Sequence, residues 1–287
     1  MTDTCPRSWL FAPGDSARKM EKALGSGADA VIFDLEDSVA PDAKDAARAT
    51  TAEALAAPAT GAARWVRVNA LDTGRTDADV AATVGGGPDG YVLPKCEGAE
   101  DIAALAAMID GHGGATDLPI LVIATETARA VRNLAHADWS HPSLYAMAWG
   151  AEDLAADLGA LANRGEDGAF LRPFLHARDT MLFAARAAGV AAIDTVFTDF
   201  RDSAGLRAEA AAAMTLGFAG KLAIHPAQVA AIHEAYTPTA AQVDWAERVV
   251  AALEGKAGVA QLDGRMIDQP HLRAARRILA LRDAAWA

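Results

Sequence analysis

Three residues of this sequence stand where they could do chemistry: two acids in short polar turns, Glu126 and Asp153, and one arginine between apolar neighbours, Arg67. Two carboxylates with no His or Cys ligand beside them suit a hard cation. Magnesium prefers oxygen donors and keeps several waters that substrate oxygens can replace. A plainer role fits the same residues. Thr125-Glu126-Thr127 and Glu152-Asp153 have the composition of helix first turns, where oxygens cap N–H groups and acids meet the positive end of the helix dipole. Spacing alone leaves both roles open. An arginine among apolar residues is costly unless it meets an anion. Arg67 could grip a carboxylate through two hydrogen bonds or stabilise a developing enolate oxygen. It could equally pair internally with Asp34 or Glu36, which would orient it. Asp34 and Glu36 share one strand face and Asp37 follows. They read either as acids hydrogen-bonding metal-bound waters or as a helix-entry cluster before Pro41-Asp42. His225, before Pro226, reads as a base or, more plainly, as a packed residue.

Eight short apolar segments place these groups: 8–12, 30–35, 64–68, 90–93, 120–124, 144–149, 195–198 and 221–224. Each is followed by a stretch with helical spacing, among them 16–26, 42–57, 99–109, 127–135, 172–188 and 205–216. Strict βα alternation over eight units predicts a parallel sheet closed into a TIM (β/α)8 barrel. Segments such as Val-Ile-Phe-Asp-Leu, apolar on both faces, fit buried parallel strands. Barrel chemistry collects where strands end. Here they end in Phe11-Ala-Pro-Gly14, Asp34-Leu-Glu36-Asp37, Arg67-Val-Asn69, Pro94-Lys95, Glu126, Glu152-Asp153, Asp199 and His225-Pro226. Polar groups at nearly every exit are the strongest physical signal in the sequence. Beyond the eighth segment come helical stretches at 227–235 and 237–254, a Gly-containing segment at 255–264 and a last helix at 270–285. The expected division is a barrel domain over residues 1–235 and a C-terminal helical lid or extension over 236–287.

A formal charge of −12 argues against a nucleic-acid or anionic-membrane surface, both of which need clustered Lys and Arg. A local basic pocket for an anionic substrate is compatible with it. Two cysteines, Cys5 and Cys96, without ligand spacing fit a reduced, cytoplasmic protein. No uncharged apolar run is long enough for a bilayer. Gly85-Gly-Gly-Pro-Asp-Gly90 formally matches a dinucleotide fingerprint but precedes a strand, and reads as a loop.

Taken in order, Arg7-Ser-Trp-Leu-Phe-Ala-Pro-Gly14, Phe33-Asp-Leu-Glu-Asp-Ser-Val-Ala-Pro41, Arg67-Val-Asn69, Leu93-Pro-Lys95, Glu126-Thr127, Gly150-Ala-Glu-Asp-Leu-Ala-Ala-Asp-Leu-Gly159, Thr198-Asp-Phe200, Gly220-Lys-Leu-Ala-Ile-His-Pro226 and Asp263-Gly-Arg-Met-Ile-Asp268 span essentially the whole chain. This combination resembles the citrate lyase β-subunit-like branch of the HpcH/HpaI aldolase superfamily, which includes malyl-CoA, β-methylmalyl-CoA and citramalyl-CoA lyases. The resemblance implies a Mg2+-dependent carbon–carbon lyase that cleaves or forms a 3-hydroxyacyl thioester, with a CoA thioester and a small 2-keto acid as partners. It implies that Glu126 and Asp153 hold Mg2+, that Arg67 binds keto-acid and enolate oxygens, and that Glu36 and Asp37 support catalysis. Phe11, Lys22, Gly150 and Ala151 fall at substrate- or CoA-binding positions. Asp268, on the lid, would complete a neighbouring subunit's site in a trimer or hexamer. The chain departs from the pattern at Ser16, where some relatives carry Arg; Arg18 stands close by. Neighbouring readings are a citrate lyase β subunit serving an acyl carrier, a malyl-CoA thioesterase, an aldolase on free acids and a non-catalytic binding relative.

Overall fold

The computed structural model describes residues 5–58, 61–254 and 258–284. Eight strands pair in parallel, each with its sequence neighbour, and the eighth closes on the first. The first half runs β1 (Ser8–Pro13), α1 (Ala17–Leu24), β2 (Ala30–Asp34), α2 (Lys44–Ala56), β3 (Ala63–Arg67), α3 (Thr76–Thr83), β4 (Gly90–Leu93) and α4 (Ala99–Gly111). The second half runs β5 (Ile120–Ile123), α5 (Ala128–Leu134), β6 (Leu144–Ala148), α6 (Ala151–Asp157), α7 (Arg172–Ala187), β7 (Ala191–Asp194), α8 (Ser203–Leu216), β8 (Gly220–Ala223) and α9 (Val229–Ala235).

Strand side chains alternate between two cores, as the pleat requires. Trp9, Ile32, Trp65, Val92, Leu121, Ile123, Ile193 and Leu222 fill the barrel interior. Leu10, Val31, Phe33, Val66, Tyr91, Leu93, Val122 and Met147 face outward against the helices. Both sets are buried, so the strands are apolar on both faces. Trp9 and Trp65 meet edge to face, with ring centroids 5.0 Å apart. Gly90 is needed beside them: a Cβ there would lie 2.4 Å from the Trp65 ring. The same alternation sets the site. Two residues beyond Ile32 and Trp65, Asp34 and Arg67 lie side by side in the β2–β3 register.

One strand falls elsewhere than its sequence suggests. Residues 195–198, Thr-Val-Phe-Thr, have strand composition, yet β7 is the Ala-rich Ala191–Asp194. Its register with β6 (Ala146↔Ala191) and with β8 (Ile193↔Gly220) selects those residues. Closure of the barrel outweighs local β propensity here. Asp199 is therefore not a strand exit; Asp194 ends β7.

After α9 the chain forms α10 (Ala240–Leu253), a hairpin of β9 (Ala260–Leu262) and β10 (Arg265–Ile267), and α11 (Gln269–Asp283). These elements share a small core of their own, including Val249, Leu253, Ile267 and Leu272. Arg277 of α11 donates to the Gly217 carbonyl at the end of α8. The hairpin begins inside the Gly-containing segment at 255–264; the start of that segment and Ala285 lie outside the described residues. Among the described residues, no helix is long and apolar enough to cross a membrane, and Cys5 and Cys96 are free thiols.

Candidate active site

Arg67 is enclosed on three sides at the end of β3. Its Nε and Nη2 donate to the two oxygens of Asp34, at 2.6 and 2.7 Å. Its Nη1 lies 2.9 Å from Glu36 Oε2, and its guanidinium stacks over the Phe11 ring at 4.7 Å. Asp34 is itself fixed by the Glu36 and Ser38 N–H groups. Burial disfavours charge on both partners, but Asp34 and Glu36 hold Arg67 above the usual arginine range, and Arg67 holds Asp34 below the usual carboxylate range. Arg67 is thus paired internally with both Asp34 and Glu36, and it also lines the cavity at the barrel mouth. A guanidinium locked by a two-bond fork and an aromatic face is preorganised to meet an oxyanion.

Glu126 lies just past β5 and is 3 % exposed. It is not the cap of α5; Thr127 is, its Oγ1 accepting from the Ala130 N–H. Glu126 accepts the Lys95 N–H and, among the described residues, forms no ion pair. Burial, then the neighbouring Asp153 and Glu36 carboxylates, push its pKa up to about 8. Asp153 sits in the first turn of α6, whose N-cap is Gly150. Glycine is required at 150: a Cβ would stand 2.9 Å from Glu126 Cγ.

These acids have one further neighbour. The Lys95 ammonium contacts Glu36 Oε1 and lies 3.5 Å from Asp153 Oδ1 and 3.7 Å from Asp37 Oδ2. Burial opposes its charge, but the Glu36 contact and the surrounding acids hold its pKa above the usual lysine range. A cavity of about 390 Å³ opens here, lined by Phe11, Asp34, Asp37, Arg67, Glu126, Gly150, Ala151 and Asp153, with Thr195 and Ile224 across from them. A larger groove of about 700 Å³ runs between α5 and α7, lined by Leu134, Trp139, Phe183 and several alanines. It lies on the outer helices, away from the strand ends, and gathers no acids comparable to those at the mouth.

The charged donors at the mouth are carboxylates, with the Ser38 and Thr195 hydroxyls beside them, an oxygen set that suits a hard divalent cation. Glu126 fits such a ligand, being a buried acid whose ionisation needs a nearby positive charge. Among the described residues, no group of three or more His, Cys, Asp or Glu is arranged to hold a metal. Glu126 and Asp153 alone would leave coordination positions to water and substrate oxygens.

Most of the expected site residues converge: Phe11, Glu36, Asp37, Arg67, Glu126, Gly150, Ala151 and Asp153 all lie in or directly beneath the cavity. Two do not. Lys22 is exposed in the last turn of α1, outside the lining. Asp268 caps α11 in the C-terminal module, where its Oδ1 lies 2.6 Å from His271 Nδ1. His225 takes the plainer of its two roles: it stacks on Phe200 at 4.8 Å, and its Nδ1 accepts from the Ala227 N–H.

A buried polar chain braces the turn that carries Asp153. Trp149, just before Gly150, donates through Nε1 to Asp194 Oδ1 at 2.7 Å. Asp194 Oδ2 lies 2.5 Å from the fully buried Lys221 ammonium, which also meets Glu209. Arg164 pairs with the other Glu209 oxygen at 2.8 Å. Asn163 donates to Glu152 Oε1 at 2.7 Å. The sequence reading missed this chain. Its signal was a lysine and an aspartate inside otherwise apolar strands, where each charge needs a partner.

An eight-stranded parallel barrel with an arginine and clustered acids at its C-terminal mouth has the architecture of a TIM-barrel enzyme. The chain belongs to the HpcH/HpaI aldolase/citrate lyase family, whose model matches residues 7–226. It is 38% identical over 283 residues to a (3S)-malyl-CoA thioesterase of Cereibacter sphaeroides, covering 97% of this chain and 95% of that one. It is also 38% identical to the citrate lyase subunit beta of Escherichia coli, covering 96% and 92%. The crystal structure of CitE from Mycobacterium tuberculosis in complex with magnesium, acetoacetate and coenzyme A matches with a TM-score of 0.83, at 35% identity, over 99% of this chain and 100% of that one.

Proposed function

We propose that this enzyme is a Mg2+-dependent carbon–carbon lyase that splits a 3-hydroxyacyl-CoA into an acyl-CoA and a 2-oxo acid, or joins them. The observation that carries this reading is the buried Glu126 carboxyl, without an ion-pair partner among the described residues, in one cavity with Asp153 and the preorganised Arg67. Glu126 and Asp153 would hold the cation. Magnesium bound there supplies Lewis-acid polarisation of the substrate carbon–oxygen bond that becomes the carbonyl. The relatives' magnesium, acetoacetate and coenzyme A, and the malyl-CoA of the thioesterase, support the ligand class.

Arg67 binds the negative charge that develops as the carbon–carbon bond breaks and a thioester enolate forms. Because Asp34, Glu36 and Phe11 already fix the guanidinium, little reorganisation is needed at that moment. Asp37 and the Gly150-Ala151 turn border the bound acyl group. The proton that the substrate hydroxyl gives up as its oxygen becomes the carbonyl leaves to solvent, and a carboxylic acid must then deliver one proton to the enolate carbon. Asp268 takes this role from the C-terminal module of a second copy of the chain in a homo-oligomer, and reverses it in synthesis.

The test is product analysis with malyl-CoA, β-methylmalyl-CoA and citramalyl-CoA, with Mg2+ or EDTA. The lyase reading predicts acyl-CoA plus glyoxylate or pyruvate, abolished by EDTA. Free CoA plus the intact hydroxy acid would mark a thioesterase instead. No turnover despite Mg2+ binding would mark a binding protein.

A further inference from the structure

Lys95 touches nearly every acid at the barrel mouth, and no motif assigned it a task. It follows β4 with φ 50°, a left-handed conformation that is uncommon for a residue with a side chain. That geometry turns its main-chain N–H onto Glu126 and its ammonium onto Glu36, with Asp153 at 3.5 Å and Asp37 at 3.7 Å. Its side chain is 30% exposed, so solvent screens its charge only in part.

Resting on the metal reading above, we propose that Lys95 is a positioning residue that weakens the site's grip on the bare divalent cation and so couples metal binding to the anionic substrate. Five acids gather here: Asp34, Glu36, Asp37, Glu126 and Asp153. Arg67 neutralises Asp34, and the Lys95 ammonium is shared by Glu36, Asp37 and Asp153. A divalent ion on Asp153 therefore meets a fixed positive neighbour. In a partly screened site, repulsion at that range changes affinity by tenfold or more. A 2-oxo acid brings its own carboxylate, which offsets the charges of Lys95 and Arg67 and restores the attraction. Metal and oxo acid then bind with positive coupling, each tightening the other by the same factor.

Calorimetric titration with MgCl2, without and with saturating pyruvate, tests this on wild type, Lys95→Met, Lys95→Gln and Lys95→Arg, each first checked by thermal melting in EDTA. The expected result is Mg2+ binding at least tenfold tighter in Lys95→Met and Lys95→Gln without pyruvate, and a smaller pyruvate enhancement than in wild type. Lys95→Arg, which keeps the charge, stays within about threefold of wild type. Equal or weaker Mg2+ binding in both neutral variants overturns the proposal. Glu126→Ala separates the two layers: if it binds Mg2+ like wild type, the cation is not on Glu126, and the metal reading falls together with this proposal.

Discussion

Replacing Glu126 with Gln should stabilise the metal-free protein while destroying its metal site. The side chains are nearly isosteric, and the Gln oxygen can still accept the Lys95 N–H. The carboxyl titrates near 4.5 when exposed and at about 8 in the folded chain. The folded state therefore binds this proton more tightly than the unfolded state does. The stability Glu126 contributes is fully present below about pH 4.5 and is lost as pH rises towards 8. The slope is about 1.4 kcal/mol per pH unit, giving about 3 kcal/mol lost at pH 7 and about 5 kcal/mol above pH 8. Urea unfolding in EDTA, followed by tryptophan fluorescence, should show Glu126→Gln more stable than wild type by these amounts at pH 7 and 8.5. At pH 5 the two should nearly coincide. Added Mg2+ should raise the stability of wild type alone. Equal stability at pH 8.5, or a difference independent of pH, would refute the view that Glu126 is a strained acid awaiting a cation.

Three further outcomes follow from the same geometry. Gly150→Ala places a Cβ 2.9 Å from Glu126 Cγ, so Mg2+ affinity measured by calorimetry should fall about tenfold while unfolding stability drops by about 1–3 kcal/mol. Lys221→Met leaves the Asp194 charge buried and should cost about 3–5 kcal/mol in denaturant unfolding; Lys221→Met with Asp194→Asn should recover much of that loss. At the opposite end of the barrel, burial works against ionised Asp29, but hydrogen bonds from His233 and Arg7 outweigh it and hold its pKa below the usual range. Its stabilisation is present above about pH 4 and is lost as pH falls through the depressed value, so Asp29→Asn should show a flatter acid limb in melting temperature against pH.

Much of this architecture was legible because parallel barrel strands declare themselves: buried on both faces, they read as apolar runs that stop at polar exits. The sequence left open whether Arg67 pairs with Asp34 or Glu36; the β2–β3 register sets Asp34 directly beside it. β7 was misplaced because Thr195-Val-Phe-Thr198 looks more like a strand than Ala191-Ala-Ile-Asp194. Register with the neighbouring strands β6 and β8 decides which residues pair. The β9–β10 hairpin did carry a signal. Asp263 and Gly264 both adopt positive φ, 50° and 76°, as the Asp-Gly of a tight hairpin turn does. Lys95 was visible at the end of β4, but its convergence on acids from β2 and α6 depends on contacts distant in sequence. The Trp149–Asp194–Lys221 chain is of the same kind, joining three strands.

The central claim is that Glu126 and Asp153 jointly hold one divalent ion. The most direct measurement is an anomalous difference map from crystals grown with Mn2+ and pyruvate. The account predicts a single peak about 2.1 Å from a carboxylate oxygen of each residue, with pyruvate oxygens on the ion and Arg67 against the pyruvate. A peak touching neither acid, or no peak where pyruvate is bound, would contradict it.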